Sequence, residues 1–137
     1  MKTQIDQTQW GFSSLSWWLT LILAIGIILI GIRFIISPST GAVGFGIAFT
    51  NVNDGVYGKI KDIRDAFSGL VLLPLLLMKM RKAAAWVFTV AIIVPTVDCV
   101  IVIYTNGLQD SAHWLIHGST AIIMIFNSML LFKGLKN

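Results

Sequence analysis

Four long apolar stretches take up most of this chain, and the few ionisable residues within them gather toward matching ends. Arg33 closes the first stretch, Arg64 and Asp65 open the second, Asp98 comes late in the third, and His113 and His117 begin the fourth. A charge placed in hydrocarbon is costly and persists where it is paired, hydrated or used. Convergence of these groups on one layer describes a built site rather than a set of separate accidents.

Composition agrees with that setting. Hydrophobic residues make up 56% of 137, charged residues only 12%, and the mean hydropathy is +0.84. Soluble domains are about a quarter charged, so this chain belongs in a lipid bilayer. Its length suits a single domain, residues 1–137, with no room for a separate soluble core. The net charge of +4 comes from basic residues flanking the apolar stretches, which read as topology signals. No interleaved aromatic and basic face for nucleic acid is present. The single Cys99 excludes an intrachain disulfide and a paired-cysteine redox centre; in mid-span it reads as a small buried hydrophobe. No phosphate loop, activated nucleophile or redox centre stands out, so no cofactor is expected.

The expected fold is an all-α membrane protein. It is a bundle of four transmembrane helices with a Gly/Asn-rich outer connector between helices 1 and 2. The first span, 17–36, starts at the interfacial pair Trp17-Trp18 and stops before Ser37-Pro38. A run this long with no cleavage site close behind it reads as a span rather than a signal peptide. Gln4, Asp6, Gln7 and Gln9 precede it, with Trp10 and Phe12 expected among the headgroups. Residues 37–59 are rich in glycine and asparagine and unsuited to a regular span. They still carry Val43, Phe45, Ile47, Ala48 and Phe49, so they are expected to fold back over the mouth of the bundle.

The second span is bounded by a length argument. Its uncharged run, Ala66 to Met78, covers only roughly 20 Å at ~1.5 Å per residue, short of the ~30 Å hydrocarbon core. The helix must therefore start near Lys61 or Asp62, giving 61–78 and carrying Arg64 and Asp65 to the membrane boundary. Pro74 can be accommodated within it. The third span, 83–104, carries Pro95 and Asp98, and the fourth, 113–132, carries His117, Thr120 and Asn127.

Charge flanks set the orientation. One side holds Lys2, Lys79, Arg81, Lys82, Lys133 and Lys136 against Asp6. On the other, Arg33, Lys59, Lys61 and Arg64 are offset in part by Asp54, Asp62, Asp65 and Asp110. The turn Lys79-Met80-Arg81-Lys82 belongs in the cytoplasm, which puts both termini on the cytoplasmic side of the cell's inner membrane. Asp98 then lies roughly 9 Å below the outer end of its span. An outward-facing polar cup over a closed apolar base is expected, which counts against a channel or proton wire.

Within the cup, His113 and His117 share a helix face that continues through Thr120, Met124 and Asn127, leaving Ile122, Ile123, Phe126 and Leu130 to the lipid. Lys61 and Asp65 have the i,i+4 spacing of an intrahelical pair. Arg64 points away from them, with Asp98 as its natural partner and Arg33–Asp65 a second pairing. Either pairing can equally be a structural device that fixes helix register. The spacing of His113 and His117 is that of a pair of metal ligands, but no glutamate accompanies them and no metal is assigned.

Lys61-Asp62-Ile63-Arg64-Asp65 followed by Gly69, then Pro95-Thr96-Val97-Asp98 and His117-Gly118, resemble a small four-span family of bacterial and fungal integral membrane proteins near the DoxX-like group. That family is catalogued as a domain of unknown function. The resemblance covers the chain from Arg33 onward and departs at Asp62, where the family pattern has glycine. It implies a left-handed four-helix membrane bundle and no established activity. Relatives in the wider group act as accessory or chaperone-like subunits.

Two functions fit these residues. One is an accessory or binding protein whose cup holds a small lipophilic ligand, a lipid headgroup or a partner membrane protein, with homo-oligomers also open. In it Arg33, Arg64, His113, Thr120 and Asn127 supply binding contacts. The other is a membrane enzyme of isomerase or hydrolase type, with His117 and Asp65 or Asp98 as an acid–base pair on a lipophilic substrate.

Overall fold

The computed structural model describes residues 10–135, and these fold into helices with no strand among them. The expected roles of Lys2, Gln4, Asp6, Gln7, Gln9 and Lys136 lie outside the described residues. The helices are α1 (Leu15–Ile36), α2 (Pro38–Phe45), α3 (Val52–Leu77), α4 (Arg81–Ala91), α5 (Ile93–Asn106) and α6 (Ser111–Lys133). α4 and α5 continue through Ile92 as one rod, Arg81–Asn106, whose helical ladder is interrupted at Ile92. The interruption has a local cause. Pro95 has no N–H for the Ala91 carbonyl one turn back, and its ring crowds that carbonyl.

α1, the α4–α5 rod and α6 are long and apolar enough to cross a membrane. α3 is long enough, but Lys59, Lys61, Asp62, Arg64 and Asp65 in its first half keep it from meeting the same standard of apolarity. Its start also differs from the expected one. Asn51 and Asp54 form a capping box, with the Asp54 amide donating to Asn51 Oδ1 at 3.1 Å and the Asn51 amide to Asp54 Oδ2 at 3.0 Å. That reciprocal cap nucleates the helix at Val52. The supposed loop 37–59 is thus α2, a short link and the opening turns of α3.

α1 and α3 run antiparallel with their backbones close together. A Cβ on Gly31 would stand 2.7 Å from the Asp62 carbonyl oxygen, and one on Gly69 would stand 2.5 Å from that of Ala24. Small residues at such crossings replace side-chain bulk with close backbone packing. α6 packs on α4 and α5 and also meets α1, while α3 meets α4.

A core of Trp10, Trp17, Leu72, Leu76, Phe88 and Leu131 fills the end of the molecule where α1 begins and α6 ends. Trp10, expected among the headgroups, is fully buried, because its indole Nε1 donates to Ser16 Oγ at 3.1 Å. Most large apolar side chains face outward, Ile22, Leu29, Leu70, Ile122 and Phe126 among them, as suits helices long and apolar enough to cross a membrane.

At the turn after α3, the Lys79 amide donates to the Leu76 carbonyl at 3.1 Å and the Met80 amide to that of Leu75 at 2.8 Å. This Schellman arrangement needs a left-handed residue, and Lys79 supplies it at φ 56°. The Arg81 guanidinium then caps α6, with Nε on the Leu131 carbonyl at 3.0 Å and Nη2 on that of Leu130 at 2.9 Å. A cation at a helix C-terminus meets both the unpaired carbonyls and the negative end of the dipole.

Candidate functional site

Several groups expected in the cup do converge, although through a different cation. Lys61 Nζ lies 2.6 Å from Asp65 Oδ2. The same ammonium stands 5.0 Å from the centroid of the Phe45 ring, which packs at 4.5 Å on the imidazole of His117. His117 Nε2 is 3.0 Å from the Phe45 carbonyl oxygen, the hydrogen-bonded distance for a donating imidazole. Asp98, half-buried on α5, has Lys61, His117 and Asp65 as its electrostatic neighbours. α3, α5 and α6 thus each bring an ionisable group to one place, and α2 closes over it with Phe45.

The expected cross-helix ion pairs are not formed. Arg64 and Arg33 are both exposed, and neither is ion-paired among the described residues. The reason is competition at short range. Lys61 is one turn from Asp65 on the same helix and reaches it without crossing to another, and it also stands nearer Asp98.

His113 and His117 share a face, as their spacing requires, but do different things. His113 Nδ1 lies 2.7 Å from Asp110 Oδ1, and Asp110 Oδ2 accepts from Asn106 Nδ2 at 2.5 Å. Asn106 Nδ2 also donates to the Gly46 carbonyl at 2.6 Å. Gly46 takes φ 105° and leaves no room for a side chain beside His113. The group forms a strap that ties the link after α2 to the α5–α6 turn. His113 and Asn106 both donate to the part-exposed Asp110 carboxylate and hold its pKa below the usual range. Asp54 is lowered likewise, by the amides of Thr50 and Asn51 that it caps.

Thr120 spends its hydroxyl on the Ile116 carbonyl of its own helix. Asn127 lies away from this cluster. It sits roughly 24 Å along α6 from Ser111 at helical rise, fully buried, with Nδ2 donating to Thr20 Oγ1 at 2.9 Å. Ser128 and Thr89 hydroxyls pair beside it at 2.5 Å. The base expected to be closed and apolar therefore holds an uncharged polar layer joining α1, α4 and α6.

Two members of the site were not singled out as site residues. Asp62 is only 1% exposed where α3 meets α1, with Lys61 and Asp65 as electrostatic neighbours. Its Oδ2 has no hydrogen-bond partner among the described residues. The available signal was its place one turn before Asp65 on the same side of a helix. Phe45 could have been found only by knowing that the connector folds back. No cluster of His, Cys, Asp or Glu among the described residues is arranged to hold a metal ion.

Residues 24–131 match the model of a domain of unknown function, DUF4267. The chain belongs to that family. The match covers most of the chain, every residue of the Lys61–Asp65–Asp98–His117 cluster included. It does not connect the chain specifically to the DoxX-like group. No curated protein and no solved structure matches the chain.

Proposed function

We propose that this DUF4267 protein crosses the membrane four times, with α3 as the fourth span, and that its polar cluster is an outward-opening cup that binds a small lipophilic ligand or a partner segment. The observation that carries this reading is the gathering of Lys61, Asp65, Asp98 and His117 from α3, α5 and α6 beneath Phe45 of α2. The family model supplies no activity to borrow, so the argument rests on the site itself. For the span, the apolar second half of α3 lies along α1, and the helix measures roughly 39 Å at ~1.5 Å per residue, more than the hydrocarbon thickness. Basic residues at Lys79, Arg81, Lys82 and Lys133 support a cytoplasmic position for that end, and so for both termini, in the cell's inner membrane.

The enzymatic reading has one supporting observation, the nearness of Asp98 to His117. It is the weaker of the two, because His117 Nε2 is held by the Phe45 carbonyl and only Nδ1 is left for proton transfer.

Native mass spectrometry of the protein released from mild detergent tests the function. A bound small molecule should be found on the wild type and lost from Asp98→Asn and His117→Ala. Its recovery chemically unaltered supports binding, and conversion supports the enzyme. Equal occupancy in both variants would remove the cup from consideration. Topology is tested separately in a Cys99→Ala background. Ser39→Cys should label from outside and Lys82→Cys should not; the reverse pattern overturns the orientation.

A further inference from the structure

We propose that the ligand of this cup is an organic cation, an amine or quaternary ammonium group carried on a lipophilic body; this rests on the cup reading above. Charge is the first argument. Asp98 has Lys61, His117 and Asp65 as its electrostatic neighbours, and Asp62 has Lys61 and Asp65. Around Lys61 the carboxyl groups outnumber the ammonium. Among the described residues Asp98 makes no hydrogen bond, and Asp62, nearly inaccessible where α3 meets α1, has no partner for Oδ2. Arg33, Lys59 and Arg64 stand at the same end but are exposed, and none of them is ion-paired to these carboxyls.

The second argument is that the protein already places an ammonium there. Lys61 Nζ sits against a carboxylate at 2.6 Å and near the face of an aromatic ring at 5.0 Å. Carboxylate and ring together are the surroundings in which alkylammonium groups are recognised. The Lys61 side chain is 44% exposed, and its long stem lets the head swing out to the membrane surface. We read Lys61 as a tethered occupant that an incoming cation displaces. An anion would meet a lysine already paired and carboxylates that repel it. A metal ion would want converging oxygens, and no such cluster is present among the described residues. A diffuse organic charge suits carboxylates spread over two helices with a ring above them.

The test uses the full chain in dodecyl maltoside, with octyltrimethylammonium, octylammonium, octanoate and octanol as probes, read by thermal melting and calorimetric binding. Both cations should bind and raise the melting temperature, while octanol and octanoate should not. Asp98→Asn should weaken cation binding by about tenfold or more. Lys61→Gln should tighten it by about tenfold, since it removes the competing ammonium. A merely structural lysine would not give that gain. Weaker cation binding in Lys61→Gln overturns the proposal, as does octanoate binding as well as the cations. Octanol or octanoate binding that is lost in His117→Ala would leave the cup standing and refute only its charge preference. Failure of every probe on both wild type and Lys61→Gln refutes the cation while the mass-spectrometric test of the cup stands independently.

Discussion

Lys61 and Asp65 pair at 2.6 Å within one turn of α3, and that contact decides which cation serves the carboxylates of the cluster. Arg64, although charged and close in sequence, is left exposed. Arg64→Met should therefore shift stability by less than about 0.5 kcal/mol, and its effect should add to that of Asp98→Asn. Lys61→Met and Asp98→Asn should instead couple by about 0.5–1 kcal/mol, a modest figure because Lys61 is part-exposed. A double-mutant cycle on detergent melting measures both. Coupling in the Arg64 cycle and additivity in the Lys61 cycle would reverse the assignment.

The Asn127–Thr20 hydrogen bond makes a second prediction. Thr20→Val strands the buried amide of Asn127 and should cost about 1–2 kcal/mol, the upper end for polar contacts between membrane helices. Adding Asn127→Leu removes the stranded group and should recover much of the loss. If the two changes are strictly additive in a denaturation cycle, the layer does not join α1 to α6.

The approximate places of three long apolar stretches were legible because length and hydropathy determine them; helix number was not, since α2 and the early start of α3 came from the segment read as a connector. The length argument on Ala66–Met78 pulled Lys61, Arg64 and Asp65 into the structured region, where all three lie. What was not legible depends on neighbours that sequence spacing does not reveal. Arg64 and Lys61 are equally plausible partners for Asp98 until the azimuth of α3 is known. Asn127 reads as part of the His117 stripe, and nothing in α1 marks Thr20 as the residue at its depth. Asp62 is buried where α3 meets α1, a property of two helices and not of one.

Lys79 carries a testable strain. It occupies the left-handed position after α3 at φ 56°, where a side chain costs about 1 kcal/mol relative to glycine. Lys79→Gly should raise stability by about that amount with α3 and α4 unchanged. A loss of stability would mean that the Lys79 side chain contributes more than its backbone costs.

The strap around Asp110 should respond to acid. His113 and Asn106 hold the Asp110 pKa below its ordinary 3.8, so the folded state favours the carboxylate. Its contribution is full above the unfolded value and is lost as pH falls through the lower folded one. The melting temperature of the wild type should drop below about pH 4. Part of that drop should be absent in Asp110→Asn, with the remainder shared by Asp54, which is lowered in the same direction. Identical acid profiles would show that the strap gains nothing from the ionised form.

Gly31 and Gly26 offer a matched pair on one helix. A methyl group at Gly31 would press within 2.7 Å of the Asp62 carbonyl and 2.9 Å of Ala66, both on the facing helix, whereas at Gly26 it would meet nothing within 4 Å. Backbone cannot yield as a flexible side chain can, so α1 and α3 would have to separate. Gly31→Ala should cost about 1–3 kcal/mol. Gly26→Ala should be neutral or stabilising by up to about 1 kcal/mol from helix propensity alone. Separation would also open the seam that covers Asp62, so that carboxyl should become more accessible to a lipophilic carbodiimide in Gly31→Ala than in the wild type. Faster modification in the Gly31 variant, with Gly26→Ala unchanged, would tie the burial of Asp62 to this single close approach. Equal rates in all three proteins would show that some other contact shields it.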